Sequence, residues 1–346
     1  MAIKVLVVDD SATARAILVD ILKSDPEISE VDTAPDAYIA RDKIVSNKPD
    51  VVCLDVEMPR MDGITFLRKL MKHMPLPVVM VSSLTQKGAQ TTLDALESGA
   101  VDFIGKPHSN IYEGSSDIKD ELLAKVKNAA FAHVNKPSTN LAKKSLTYKS
   151  KLETTQKIIA IGSSTGGVEA LKEFLVQFPR NSPGMIIVQH MPSNFTAQFA
   201  QRLNSICELD VKEAENGDTI AQGMVLIAPG DLHMVLRRSG HRYYVQLGSG
   251  EKVSGHRPSV DVMFNSVSKY AGSNAIGVIL TGMGSDGAKG LLNMRENGAM
   301  TFGQDEHSST VYGMPKVAYE NGAVVEQDSL LNLPSKILKQ LESMEV

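Results

Sequence analysis

The strongest constraint on this chain is a regular alternation. Short apolar runs, each followed by a helical pattern, repeat along nearly all of its 346 residues. The first runs are Ile3–Val8, Val31–Ala34, Val51–Asp55, Pro77–Ser82 and Val101–Gly105, with helical patterns such as Thr13–Lys23 and Gly63–His73 between them. Continuous apolar strands separated by helices predict parallel sheet buried on both faces. From His133 to Gln156 the pattern stops, in a polar text rich in Lys, Ser and Thr, HVNKPSTNLAKKSLTYKSKLETTQ. Such composition predicts a linker. Alternation then resumes with Lys157–Gly162, Gly184–Gln189, Gly223–Pro229, Tyr243–Leu247, Ala275–Gly282, Ala299–Gln304 and Ala323–Glu326, before a closing helix over Leu333–Glu342. The expectation is an α/β protein of two domains. The first spans 1–122, a helix end and polar linker span 123–151, and the second spans 152–346. The second is read as doubly wound and mostly parallel, with 223–229 and 243–247 forming an antiparallel hairpin.

Composition narrows the function classes. A net charge of −4 and a pI near 6.1 argue against a nucleic-acid-binding protein, which needs a basic face. The two cysteines, Cys53 and Cys207, lack the spacing of a disulfide framework or zinc site. No apolar run approaches the roughly 18 residues of a membrane span, and the start, MAIKVLVVDD, does not read as a signal peptide. The expected location is cytoplasmic, without membrane insertion.

In parallel α/β sheets, ligands bind beyond the C-terminal ends of the strands. The first run ends in Asp9 and Asp10, the third in Asp55, the fourth in Ser82, and the fifth runs into Lys106. A flavodoxin-like strand order brings these ends together. Carboxylates crowded in one corner repel each other unless something neutralises them. A hard cation such as Mg²⁺ does so and still accepts a phosphoryl oxygen, and one carboxylate of such a site can form an aspartyl-phosphate. VLVVDDSATAR, CLDVEMPRMDGITFL, VVMVSS and GAVDFIGKP resemble a response-regulator receiver domain over about residues 1–122. The resemblance implies that Asp55 takes phosphate from a histidine kinase. It implies that Asp9, Asp10, Asp55 and the Glu57 carbonyl serve Mg²⁺, that Ser82 and Lys106 contact the phosphoryl group, and that Phe103 is the switch aromatic. Ser82 stands where many receivers carry threonine.

The second domain opens on IIAIGSSTGG, Ile158–Gly167. It lacks the second glycine of a dinucleotide loop and the lysine of a P-loop. It does fit G-x-S-x-G with Ser164 at the centre, a strand–turn–helix pattern that exposes a serine hydroxyl. A reactive serine needs a base and a group to orient that base. His190 follows the next parallel run, and Asp286 follows Ala275–Gly282 among glycines that can offer N–H groups to an oxyanion. Other readings stay open at this point. Ser164 could cap the helix, a role that suits Ser163 or Thr165 better, His233 or His256 could be the base, and Asp286 could be a turn aspartate. IAIGSSTGG, VQHMP, LIAPGD, RPSVDVMF and LTGMGSDGAKG resemble the catalytic domain of the chemotaxis protein-glutamate methylesterases. That resemblance implies a triad of Ser164, His190 and Asp286, with the Met283 N–H in the oxyanion hole and no cofactor. It implies hydrolysis of glutamyl methyl esters, and deamidation of glutamines, on chemotaxis receptors. It also implies that the unphosphorylated receiver blocks the active site. The competing expectations are a phosphorylation-controlled ligand-binding module without turnover and, less well matched, a DNA-binding regulator.

Overall fold

The computed structural model describes residues 2–82, 86–106, 116–134, 146–148 and 157–344. It divides into two compact units, Met1–Thr139 and Asn140–Val346. Ser83, Pro107, His108 and most of the expected linker lie outside the described residues.

The first unit runs β1 (Ile3–Val8), α1 (Ala12–Lys23), β2 (Ile28–Ala34), α2 (Ala37–Ser46), β3 (Val51–Asp55), α3 (Gly63–His73), β4 (Val78–Ser82), α4 (Gln86–Glu97), β5 (Asp102–Gly105) and α5 (Ser116–Ala129). Its five strands are parallel in the order β2-β1-β3-β4-β5. Every residue of β3 and β4 is buried, which their unbroken apolar text foretells. Edge strand β2 is only partly buried, so its sequence carries polar residues. Helix starts follow side-chain capping: Ser11, Asp36 and Asp62 each accept a backbone N–H at the head of α1, α2 and α3.

The second unit runs β6 (Ile158–Ser163), α6 (Gly167–Leu175), β7 (Gly184–Gln189), α7 (Ser193–Ile206), β8 (Asp210–Glu213), β9 (Met224–Ile227), β10 (His233–Ser239), β11 (Arg242–Gly248), α8 (Val260–Tyr270), β12 (Ala275–Ile279), α9 (Ala288–Glu296), β13 (Met300–Gln304), α10 (Met314–Glu320), β14 (Glu326–Asp328) and α11 (Leu333–Ser343). Seven of these strands form one parallel sheet, ordered β14-β13-β12-β6-β7-β9-β8. After β6 the chain goes to β7, skips one place to the edge strand β8, comes back to β9 between them, and then returns to the far side of β6 for β12, β13 and β14. The order therefore reverses between β6 and β12, and that switch point is where an α/β sheet opens a crevice for ligands.

The hairpin differs from expectation in its partner. Tyr243–Leu247 pairs antiparallel with His233–Ser239, while Met224–Ile227 joins the parallel sheet. The Pro229-Gly230 turn separates the parallel strand from the hairpin, so the apolar run at 223–229 belongs to the sheet alone. The hairpin's apolar face, Met234, Leu236, Tyr243 and Val245, packs on Met263, Phe264 and Val267 of α8. The last strand is also displaced. Ala323 and Val324 are buried coil, and the strand is the polar Glu326–Asp328 at the sheet edge. Edge strand β8, Asp-Val-Lys-Glu, carries too little apolar text to be read in advance.

Candidate active site and phosphoacceptor site

The switch point places three side chains in line. β6 lies between β7 and β12. Ser164 follows β6, His190 follows β7 and Asp286 lies in the turn between β12 and α9. The His190 ring spans the other two, with Nδ1 3.1 Å from Ser164 Oγ and Nε2 2.9 Å from Asp286 Oδ2. The ionised Asp286 can only accept a hydrogen bond, so Nε2 carries the ring proton and donates it, which leaves the Nδ1 lone pair facing the serine hydroxyl.

Asp286 is 2% exposed and its two oxygens accept four bonds. Oδ1 takes Ser259 Oγ–H at 2.8 Å and Asp261 N–H at 3.1 Å. Oδ2 takes Val260 N–H at 2.7 Å besides His190. These are the first N–H groups of α8, so the carboxylate sits on a helix N-terminus. Burial by itself raises its pKa, but the His190 contact and the α8 N–H bonds outweigh it and hold the carboxyl below 3.8. The helix head is itself anchored. Ser259 caps α8 through Val262 N–H, and its own N–H donates to Nδ1 of His233 at 3.2 Å. His233 Nε2 pairs with the Glu251 carbonyl at 2.8 Å. His233 thus stands behind the aspartate, and His256 stacks on His190 with ring centroids 3.8 Å apart and planes 5° apart.

Ser164 does not cap α6. The cap position is Gly166, at φ 76°, with no side-chain cap bond. Ser163, also suggested as a cap, is fully buried and donates instead to Gln189 Oε1 at 2.7 Å. On the other side of the nucleophile, the Ser164 N–H donates to the Thr281 carbonyl at 3.0 Å. A Cβ on Gly282 would lie 2.8 Å from Ser164 Cβ. The backbone leading into Met283 therefore runs against the serine, and only glycine allows that approach.

Three residues support this site in roles that the sequence does not indicate: Ser259, Gln189, and His233, which pairs with the Ser259 N–H rather than serving as the base. Ser-x-Asp at the head of a helix does predict a cap at Ser259. Nothing local predicts that the same helix head holds a carboxylate 27 residues later.

In the first unit the structure gathers the expected strand ends. Asp9, Asp10 and Asp55 can each bring a carboxylate oxygen within 4.8 Å of the others. Lys106 Nζ lies 2.7 Å from Asp55 Oδ2 and 3.3 Å from Asp9 Oδ2. Both are ion-pair distances, and Lys106 aside neither buried oxygen has a hydrogen-bond partner. Burial, opposed by Lys106 and reinforced by Asp9, pushes the Asp55 carboxyl up to about 6. The Lys106 ammonium thus pairs with two of the three clustered carboxylates, Asp9 and Asp55, and their buried Oδ2 atoms keep lone pairs to offer. That donor set fits a hard divalent cation with oxygen ligands. Ser82 ends β4 and is buried, its Oγ 3.5 Å from the Gly88 carbonyl. Phe103 on β5 is buried, with the Lys125 ammonium 5.0 Å from its ring centre and bonded to its carbonyl at 2.5 Å. Glu57 lies in the β3–α3 loop, and its N–H reaches Asp55 Oδ1 at 3.3 Å.

Gly63 closes that loop. A Cβ there would fall 2.0 Å from the Asp55 carbonyl oxygen and 3.1 Å from Val56 Cα. Gly63→Ala is expected to destabilise the first unit by about 1–3 kcal/mol, the usual cost of overpacking against backbone. Urea unfolding reads this directly, and an unchanged midpoint would show that the α3 head moves off β3 at no cost.

Fold and geometry together define a class: an α/β protein with a receiver-like first unit, and a serine, histidine and aspartate aligned at the sheet switch point of its second. Comparison with known proteins narrows it further. The profile described as CheB methylesterase matches residues 159–337, and that described as response regulator receiver domain matches residues 5–112. The protein-glutamate methylesterase/protein-glutamine glutaminase of Sulfurimonas denitrificans is 62% identical, with 99% of each chain covered. The protein of the same name from Syntrophotalea carbinolica is 54% identical, again with 99% of each covered. The crystal structure of the Thermotoga maritima CheB methylesterase catalytic domain is 38% identical, with a TM-score of 0.52, covering 53% of this chain and 98% of that one. The chain belongs to the CheB methylesterase family. Among the described residues, no helix is long and apolar enough to cross a membrane.

Proposed function

We propose that this protein is a phosphorylation-controlled serine hydrolase that converts glutamyl methyl esters on chemotaxis receptors to glutamate and methanol, and deamidates receptor glutamines by the same route. The observation that carries this reading is the hydrogen-bonded line from Ser164 through His190 to Asp286, in a chain that aligns end to end with proteins of that name. Ser164 Oγ attacks the γ-carbonyl carbon while His190 Nδ1 takes the hydroxyl proton. The tetrahedral oxyanion is received by the Met283 N–H, a role supported by the close approach of its loop to Ser164. His190 then gives its proton to the leaving group, methanol from an ester or ammonia from an amide, and Ser164 holds the acyl group. Water, deprotonated by His190, releases glutamate and restores the serine. Asp286 keeps the ring in one tautomer and stabilises its cation, as in other triads.

In the first unit Asp55 is the phosphoacceptor, supplied by a histidine kinase. Asp9, Asp10, Asp55 and the Glu57 carbonyl would hold Mg²⁺, which lends positive charge to the incoming phosphoryl oxygens. Lys106 faces the same oxygens, Ser82 offers its hydroxyl, and Phe103 reports the change as the switch aromatic. The test is methanol release from methylated receptor membranes, with and without an acyl phosphate as phosphodonor. Release should rise with the phosphodonor in the wild type. Asp55→Asn should keep the basal rate and lose the rise. A ligand-binding module without turnover would release no methanol under either condition and take no label from a serine-reactive phosphonate.

A further inference from the structure

We propose that Gln189, held in place by Ser163, is a positioning residue for the esterase reaction. The inference rests on the hydrolase reading above and concerns how the nucleophile and base are kept in register. Gln189 is the last residue of β7 and 3% exposed, and Ser163 is the last residue of β6 and fully buried. The Ser163 hydroxyl donates to Gln189 Oε1 at 2.7 Å. The other end of the amide then faces two carbonyls. Nε2 donates to the Ser164 carbonyl at 2.9 Å and to the His190 carbonyl at 3.2 Å. The opposite orientation of the amide would set Oε1 against both carbonyl oxygens, so the network itself fixes which end is which. The backbone adds a parallel tie, His190 N–H to the Ser163 carbonyl at 3.2 Å.

One buried carboxamide therefore grips the peptide groups of the two residues whose side chains meet 3.1 Å apart. The carbonyls of Ser164 and His190 cannot rotate independently while both Nε2–H groups are engaged, and so the two backbone positions from which Oγ and the imidazole project stay in register. A second observation shows that the fold makes room for this amide. Gly167 opens α6, and a Cβ there would fall 2.0 Å from Gln189 Oε1 and 2.9 Å from Ser163 Cβ. The helix after the nucleophile thus begins on a glycine that clears the clamp. Ser163, next to the reactive serine in sequence, gains a defined role from this contact.

Misplacement of a reacting group by about 1 Å costs on the order of 100-fold in rate. Gln189→Met keeps length and removes all three bonds. Its kcat for methyl-ester hydrolysis should fall about 100-fold, with KM held within about twofold, since the clamp lies behind the site and away from substrate. Rates are to be expressed per site titrated with a serine-reactive phosphonate. Ser163→Ala leaves both Nε2 bonds but frees Oε1, and should lower kcat by about fivefold, the worth of one ordinary hydrogen bond. A purely structural amide would lower the melting temperature and the fraction of titratable sites but leave kcat per titrated site unchanged. That result in both variants would overturn the proposal, and Ser163→Ala decides it should Gln189→Met not fold. A wild type that neither releases methanol nor takes the phosphonate would remove the esterase reading itself, so the two failures stay distinct.

Discussion

Ser164→Ala is expected to remove methyl-ester turnover almost entirely, by about five to six orders of magnitude in kcat, and to leave the melting temperature unchanged. The size follows from the loss of the acyl-enzyme route, because nucleophiles of this kind act as a unit with their base and their loss costs on the order of 10⁶. What remains is water attack aided by the oxyanion donor and by binding. Stability is spared because the hydroxyl makes one side-chain contact, with His190, at a partly exposed position. The turn around it is held by backbone: Ser164 N–H to the Thr281 carbonyl and Gly167 N–H to the Ser164 carbonyl. Methanol release and thermal unfolding on the same preparation decide the matter. A folded Ser164→Ala protein that still hydrolyses the ester would remove the serine from the reaction. A clear fall in melting temperature would instead show that the hydroxyl helps to hold the turn.

The line from Ser164 to Asp286 is legible in the sequence because each residue comes just after a buried strand. Buried parallel strands are the plainest elements of such a fold. Their text is apolar without interruption, and the residues that come next must lie at the sheet edge. Strand order is not legible locally, and it is the order that brings His190 and Asp286 to opposite sides of Ser164. Where strands are edges, as in Asp210–Glu213 and Glu326–Asp328, one face meets solvent and the apolar signal is gone. The hairpin partner is obscured for a related reason. His233–Ser239 carries two arginines and a serine at its outer end and reads as loop. The supporting groups are harder still. Ser259, His233 and Gln189 act through hydrogen bonds that cross 25 to 27 residues of sequence, and no spacing within one element encodes them. The acidic corner of the first unit is the opposite case. Asp9, Asp55 and Lys106 each sit at their own strand end, and the fold needs only to be parallel, with β1 beside β3 and β5 one strand further on, for them to meet.

Asp286→Asn is expected to lower kcat by about 10⁴-fold and, unlike Ser164→Ala, to destabilise the second unit. The catalytic loss arises from the ring. An asparagine that turns its amide toward His190 donates to Nε2, moves the proton to Nδ1, and leaves no lone pair for the Ser164 hydroxyl. That wrong-tautomer effect is worth about 10⁴ in other triads. The stability loss arises from the helix. Both carboxylate oxygens accept backbone N–H groups at the head of α8, Oδ1 from Asp261 and Oδ2 from Val260. Whichever way an amide is turned, its NH₂ meets one of those donors, so a buried N–H loses its acceptor at a cost of about 1–3 kcal/mol. The pH dependence separates this from general damage. The folded-state pKa of Asp286 lies below its ordinary value of 3.8. Its contribution to stability is therefore complete above that value and is lost as pH falls through the lower folded-state pKa, where the folded protein must take up the proton. Urea unfolding of the wild type should weaken over that acid window. The Asp286→Asn protein should start less stable at neutral pH and show a shallower acid decline, because the group that titrates is gone. Equal stability of the two proteins at neutral pH would mean that α8 does not depend on the carboxylate, and an unchanged kcat would take Asp286 out of the triad.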